Sequence, residues 1–162
     1  MPSTYDKIEA KSLGSAAASV SFTSIPATYT DLVLIVEGIA TSGSTSALAL
    51  QFNGDTSSAY SGTRLSGNGS AASSDRYTAT TVMGGGLITG SVRFNNIINI
   101  QNYSNTTTYK TVLFRANVSD ALVRTSVNMW INTSAINRAD IVAVGTTFAI
   151  GSTFTLYGIK AA

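Results

Sequence analysis

The 162 residues include no histidine and no cysteine, only 11% of them are charged, and the net charge is +2. Composition therefore excludes imidazole-assisted nucleophiles, thiolate chemistry, disulfides and metal sites built on imidazole or thiolate. A hydrophobic fraction of 44% lies in the globular range, and the length suits a single domain, residues 1–162, with a core of its own.

Taken in chain order, the first residues lack the basic and apolar regions of a secretory signal. Residues 5–11 and 19–23 read as strands joined by a turn at Gly14-Ser15, and residues 16–18 are too few for a helix. Ser24-Ile25-Pro26-Ala27 reads as a loop, because Pro26 cannot donate to a ladder. Residues 32–40 are apolar at nearly every position, which predicts a central strand covered on both faces, with a neighbouring subunit as one possible cover. Leu48, Leu50 and Phe52 alternate with Ala49, Gln51 and Asn53, and Asn53-Gly54-Asp55 signals a tight turn. Residues 55–60 have room for one helical turn. Residues 57–74 and 84–90 read as long irregular stretches, with Gly84-Gly85-Gly86 as a flexible bend or bulge.

Period two then returns. Val92, Phe94, Ile98 and Ile100 share one face, interrupted by Asn96. Val112, Phe114 and Ala116 alternate with Thr111, Leu113 and Arg115. Val123, Val127, Met129 and Ile131 alternate with Arg124, Ser126, Asn128 and Trp130. Phe154 and Leu156 alternate with Thr153, Thr155 and Tyr157. Such alternation places one face on a core and the other toward water or a partner. Eight or so strands with almost no helix predict an all-β, antiparallel, two-sheet β-sandwich of jelly-roll-like form. No run approaches the roughly 18 apolar residues of a membrane helix.

Chemistry-bearing patterns are sparse. There is no Ser-x-x-Lys, no Gly-x-Ser-x-Gly and no Gly-Lys-Ser/Thr phosphate loop. The eight carboxylates are well separated, so a glycosidase pair requires two of them to converge in the fold. Glu37, set in the apolar strand, reads as a raised-pKa acid, an outward strand-end residue or an arginine partner. Residues 53–57 offer two or three oxygens to calcium but depart from the EF-hand spacing. No catalytic residue, cofactor or metal is expected. The ten basic residues are scattered and form no stripe for nucleic acid. Trp130, between Asn128 and Asn132, and Tyr60, Arg64 and Tyr77 around the long loop suit either sugar stacking or a subunit interface. The interface is preferred, since Trp and Tyr are enriched there.

Three segments carry a family resemblance. One is Tyr5-Asp6-Lys7-Ile8-Glu9-Ala10-Lys11-Ser12-Leu13-Gly14, continuing through Phe22 into Ser24-Ile25-Pro26-Ala27-Thr28-Tyr29-Thr30-Asp31-Leu32. The second is Leu50-Gln51-Phe52-Asn53-Gly54-Asp55, followed by Tyr60. The third is Gly151-Ser152-Thr153-Phe154-Thr155-Leu156-Tyr157-Gly158-Ile159-Lys160. Together they resemble small structural proteins of tailed bacteriophages, including cyanophages. The resemblance implies a β-sandwich without catalytic residues, either a capsid decoration (cement) protein or the head of a tail fibre. Strands expected from about Tyr5 to the last residue leave no room for a tail anchor or shaft, which favours decoration.

That reading implies a homotrimer on the outer capsid surface of the virion, assembled in the host cytoplasm. It would bridge subunits of the major capsid protein by many weak contacts. The alternative is a receptor- or carbohydrate-binding head contacting a host surface glycan. Leu34, Val36, Tyr60, Arg64, Tyr77 and Trp130 are the candidate partner or subunit contacts. Nucleic acid and membrane are not expected partners.

Overall fold

The computed structural model describes residues 4–43, 45–90, 92–119 and 122–160. It is all-β, with no helix among the described residues. The strands run β1 (Tyr5–Ser12), β2 (Ser19–Phe22), β3 (Asp31–Gly38), β4 (Leu48–Phe52), β5 (Tyr60–Gly67), β6 (Ala72–Thr80), β7 (Phe94–Ile100), β8 (Lys110–Val118), β9 (Leu122–Trp130), β10 (Ala139–Ala143) and β11 (Thr153–Ile159). They form two antiparallel sheets, as the alternation predicts. One has eight strands in the order β1-β11-β3-β7-β8-β9-β5-β6, and the other has three in the order β2-β10-β4.

The core lies between the sheets. The large sheet contributes Leu32, Leu34, Val36, Ile98, Ile100, Val112, Phe114, Phe154 and Leu156, all at 0% exposure. In the small sheet, Ala139 sits between Phe22 and Phe52, and Ile141 between Val20 and Leu50. The small Ala139 leaves room for the two rings beside it, an alternation of sizes that lets layers interdigitate. The strand at β3 is central, but its second face is only partly covered. Val33 is buried, Ile35 is half-buried and Glu37 is exposed.

The Asn53-Gly54 turn forms as its residues predict. Both residues have positive φ (53° and 69°), and the Asp55 amide donates to the Phe52 carbonyl at 2.9 Å. Residues 55–60 form no helical turn. The irregular stretch expected at 57–74 is instead mostly hairpin, because β5 and β6 pair through their backbones from Tyr60 to Thr80. Their Ser, Thr and Gly side chains give no apolar period, and β6 is exposed along nearly all its length. These strands are held by backbone pairing rather than by burial, so hydrophobic patterning did not reveal them.

Residues 84–90 are irregular as expected, but Gly84-Gly85-Gly86 is fastened by backbone bonds and is no free bend. Residues 83–88 form a strap that runs beside β4, with Leu50 opposite Met83 and Ser46 opposite Ile88. The Gly86 amide donates to the Leu48 carbonyl at 3.0 Å. The strap lies so close to the large sheet that a Cβ on Gly85 would stand 2.5 Å from Phe114 and 2.6 Å from Ser126 Oγ. Asn96, the residue that interrupts the apolar face of β7, is fully buried beneath it. Its Nδ2 donates to the Leu87 carbonyl at 2.7 Å, and its Oδ1 accepts from the Leu87 amide at 2.9 Å.

The strap meets the inner face of β9, whose orientation is the reverse of what its apolar residues suggest. Ser126, Asn128 and Trp130 face the interior, while Val123, Val127 and Met129 face out. Side chains alternate along a strand, so burying Trp130 carries Asn128 and Ser126 inside with it. Each finds a partner there. Ser126 Oγ donates to the Gly85 carbonyl at 3.3 Å. Asn128 Nδ2 donates to Ser126 Oγ at 2.8 Å and to the Val112 carbonyl at 3.2 Å, and Asn128 Oδ1 accepts from Tyr77 at 2.7 Å. Satisfied in this way, the buried polar groups avoid the cost of lost hydration.

Candidate functional site

The inversion of β9 leaves an apolar patch on the outer face of the large sheet. Val123 and Val127 are exposed by 56% and 57%, Leu65 by 56% and Met129 by 40%, and Ile131 just beyond the strand by 44%. They are contiguous. Val127 pairs with half-buried Leu113 across β8, Met129 follows it on the same face, and Leu65 lies opposite Thr125, diagonal to Val123 and Val127. Single exposed aliphatic residues are ordinary on protein surfaces, whereas a continuous group marks a surface that a partner covers. Covering the exposed half of each is worth roughly 1 kcal/mol per side chain.

The same face is hollow. A trough of about 1070 Å³ spans five strands, β7-β8-β9-β5-β6. Two cross-strand rows of outward side chains line it, one running Ile97, Arg115, Thr125, Leu65, Ser74 and the next Asn95, Asn117, Val123, Gly67, Ala72. Two smaller hollows lie beside it on the same sheet. One of about 190 Å³ includes Thr63, Arg76, Val127 and Met129. The other, of about 330 Å³, includes Glu37, Arg93, Asn95 and Asn117. Small residues at Gly67, Ala72 and Ser74 leave the side of the trough near β6 shallow. Arg115 is held in place by a bond from its guanidinium to Asn99 Oδ1 at 3.0 Å.

The residues singled out in the sequence lie elsewhere. Leu34 and Val36 are at 0% exposure, Tyr60 at 0% and Trp130 at 1%, so all four are core residues and none offers a surface to a subunit or a sugar. Their burial has a plain cause. Trp130 is stacked on Tyr60 with ring centroids 6.4 Å apart and packs against Phe52 at 5.6 Å, while the apolar β3 residues point at the small sheet. Arg64 and Tyr77 do come together, on the inner side of the β5–β6 hairpin. The Arg64 guanidinium lies 5.2 Å from the Tyr77 ring centre, is paired with Asp75, and donates to the Gly84 carbonyl at 3.1 Å. These contacts brace the hairpin against the strap. Burial pushes both Tyr60 and Tyr77 up to about 12.

Glu37 is exposed and accepts a bond from Asn95 Nδ2 at 2.6 Å, which matches the outward strand-end reading. The carboxylate of Asp55, part of the possible calcium loop, is occupied by the Trp130 indole N–H at 2.8 Å and by the amide and hydroxyl of Ser57. The Ser57 hydroxyl, with help from Trp130, holds Asp55 below its ordinary value of 3.8. Hydrogen bonding from Arg64 does the same for Asp75. Both carboxylates are favoured in their charged form by the fold. Their stabilisation is complete above the unfolded value and is lost as pH falls through the lower folded values. The thermal midpoint is thus expected to drop below about pH 4, and Asp55→Asn to flatten that decline. Calorimetry from pH 7 to pH 2 checks this, and an acid limb unchanged in Asp55→Asn would count against the role of Asp55.

The outer face was only half legible in the sequence. The alternation of Val123, Val127, Met129 and Ile131 is plain, but which way it faces depends on Trp130, a bulky residue of opposite parity. Leu65 and Arg115 carried no distinguishing pattern. No protein-family model, curated protein or solved structure matches this chain.

Proposed function

We propose that the chain is a structural protein that adheres to a larger assembly through the hollow outer face of its eight-stranded sheet. The observation that carries this reading is the continuous aliphatic patch at Leu65, Val123, Val127 and Met129, set on a rigid sheet beside a trough large enough for a partner's segment. The resemblance of the chain to phage virion proteins gives that assembly as a capsid and the protein as a decoration component, with trimers at threefold lattice positions. A weak face repeated in many copies suits that role, because multivalent attachment multiplies modest contacts. The sugar-binding alternative loses support, since Trp130 and Tyr60, its stacking platform, are interior.

The test is the copy number and position of the protein on purified particles, by quantitative mass spectrometry and electron cryomicroscopy. Hundreds of copies over the shell are expected. A few dozen or fewer, confined to the tail, would exclude decoration.

A further inference from the structure

The geometry points to a segment of another polypeptide as the occupant of the outer trough, an extended stretch in which aliphatic side chains alternate with carboxylates. This rests on the adhesive reading above. Charge selects the carboxylates. Arg115 lines the trough, Arg93 the hollow that shares Asn95 and Asn117 with it, and Arg76 the small hollow by Val127 and Met129 on the same face. All three are exposed, and none has a carboxylate partner among the described residues. Among the described residues lining these hollows Glu37 is the one carboxylate, and it is already engaged by Asn95. By contrast, Arg64 and Arg138 are each bound to an aspartate. A face with three guanidiniums that no described carboxylate neutralises favours an acidic partner and rejects a basic one.

Shape and composition select a polypeptide. The trough is lined by Ile97, Leu65 and Val123 and by no aromatic ring, so a sugar or a base finds no stacking platform in it. Asn95 and Asn117, paired across β7 and β8, stand where an amide side chain can hydrogen-bond a peptide backbone laid along the trough. A second copy of this chain fits less well. Asp6, Glu9, Asp75 and Asp140 are tied to its own cations, and Asp31 and Asp55 to its own hydrogen-bond donors. Its described surface therefore has little acidic charge to give to the trough of a neighbour.

The experiment is a random ten-residue peptide library displayed on yeast and sorted against the purified protein. The strongest binder is then measured by fluorescence anisotropy. Recovered peptides are expected to be rich in Asp and Glu among Val, Ile and Leu. Arg115→Glu should weaken the best of them about tenfold or more, and so should the pair Leu65→Ser with Val123→Ser. Raising the salt should weaken binding further. Thermal midpoints of the variants serve as the folding control. No recovered peptide, basic or aromatic peptides, or binding indifferent to these substitutions would overturn the inference. So would self-association in sedimentation that Leu65→Lys abolishes, because a second copy would then cover the face. Particle position is read separately. Capture of acidic peptides by a protein absent from the shell defeats decoration alone. Shell attachment untouched by Arg115→Glu defeats the trough alone.

Discussion

Truncating Trp130 to alanine is expected to remove about 3–5 kcal/mol of unfolding free energy. Small domains have roughly 5–15 kcal/mol in all, so the variant should sit near the edge of folding. The cost is high because one side chain joins four parts of the molecule. From β9 it stacks on Tyr60 at the start of β5 and packs on Phe52 at the end of β4. Its indole N–H reaches Asp55 beyond the Asn53-Gly54 turn at 2.8 Å. The Tyr60 hydroxyl closes the same cluster, accepting from the Phe52 amide and donating to the Asp55 carbonyl, both at 3.0 Å. Trp130→Phe retains most of the ring contact and loses only the indole bond, so about 1–2 kcal/mol is expected. Urea unfolding followed by circular dichroism separates the two. An alanine variant as stable as the phenylalanine one would contradict the cluster. A loss of any binding activity in Trp130→Ala would also report unfolding rather than a ligand contact.

The sheets were legible wherever one face of a strand carries all the bulk. At β4, β8 and β11 the alternating Leu, Val and Phe residues go inside as their spacing predicts. Two situations defeated that logic. In β9 both faces carry large apolar groups, and parity alone cannot say whether Trp130 or the valines are buried. The answer comes from Phe52, Tyr60 and Asp55, which lie more than 65 residues away along the chain. In β5 Tyr60 alone is fully buried and β6 is exposed along nearly all its length, so these strands rest largely on main-chain pairing that leaves no mark on side-chain pattern. The candidate face depends on both failures, since β9 supplies its aliphatic patch and the β5–β6 hairpin supplies one wall. Of the six residues picked from the sequence, Leu34 and Val36 stood out for their apolar strand and Tyr60 and Trp130 for their rings, properties that in this chain mark the core. Arg64 and Tyr77, which flank the expected loop, brace the hairpin instead.

Asn96→Leu is the second large loss, on the order of 2–4 kcal/mol, although the substitution adds apolar surface to an apolar strand. Sequence logic alone calls it an improvement, because it completes the run Phe94, Ile98, Ile100. The structure reverses that sign. Asn96 supplies the bonds to both the amide and the carbonyl of buried Leu87, and leucine would leave the two groups unpaired away from water. Nor can the strap shift to accommodate a branched side chain, since even a Cβ on Gly86 would come within 2.6 Å of Asn96 Oδ1 and 2.9 Å of Leu48. Asn95→Leu, one residue earlier and on the outer face, is the control and should change stability by no more than about 0.5 kcal/mol. Hydrogen exchange adds a local readout, with protection at Gly86 and Leu87 falling in Asn96→Leu and not in Asn95→Leu. Equal stability of the two variants would show that the strap is held by something else. The effect should reach the outer face as well. The strap carbonyl at Gly85 is one of the partners that keep the polar side of β9 inside. Loosening the strap removes one reason for Val123, Val127 and Met129 to face out, so peptide capture at the trough should weaken in Asn96→Leu without any residue of the trough having changed.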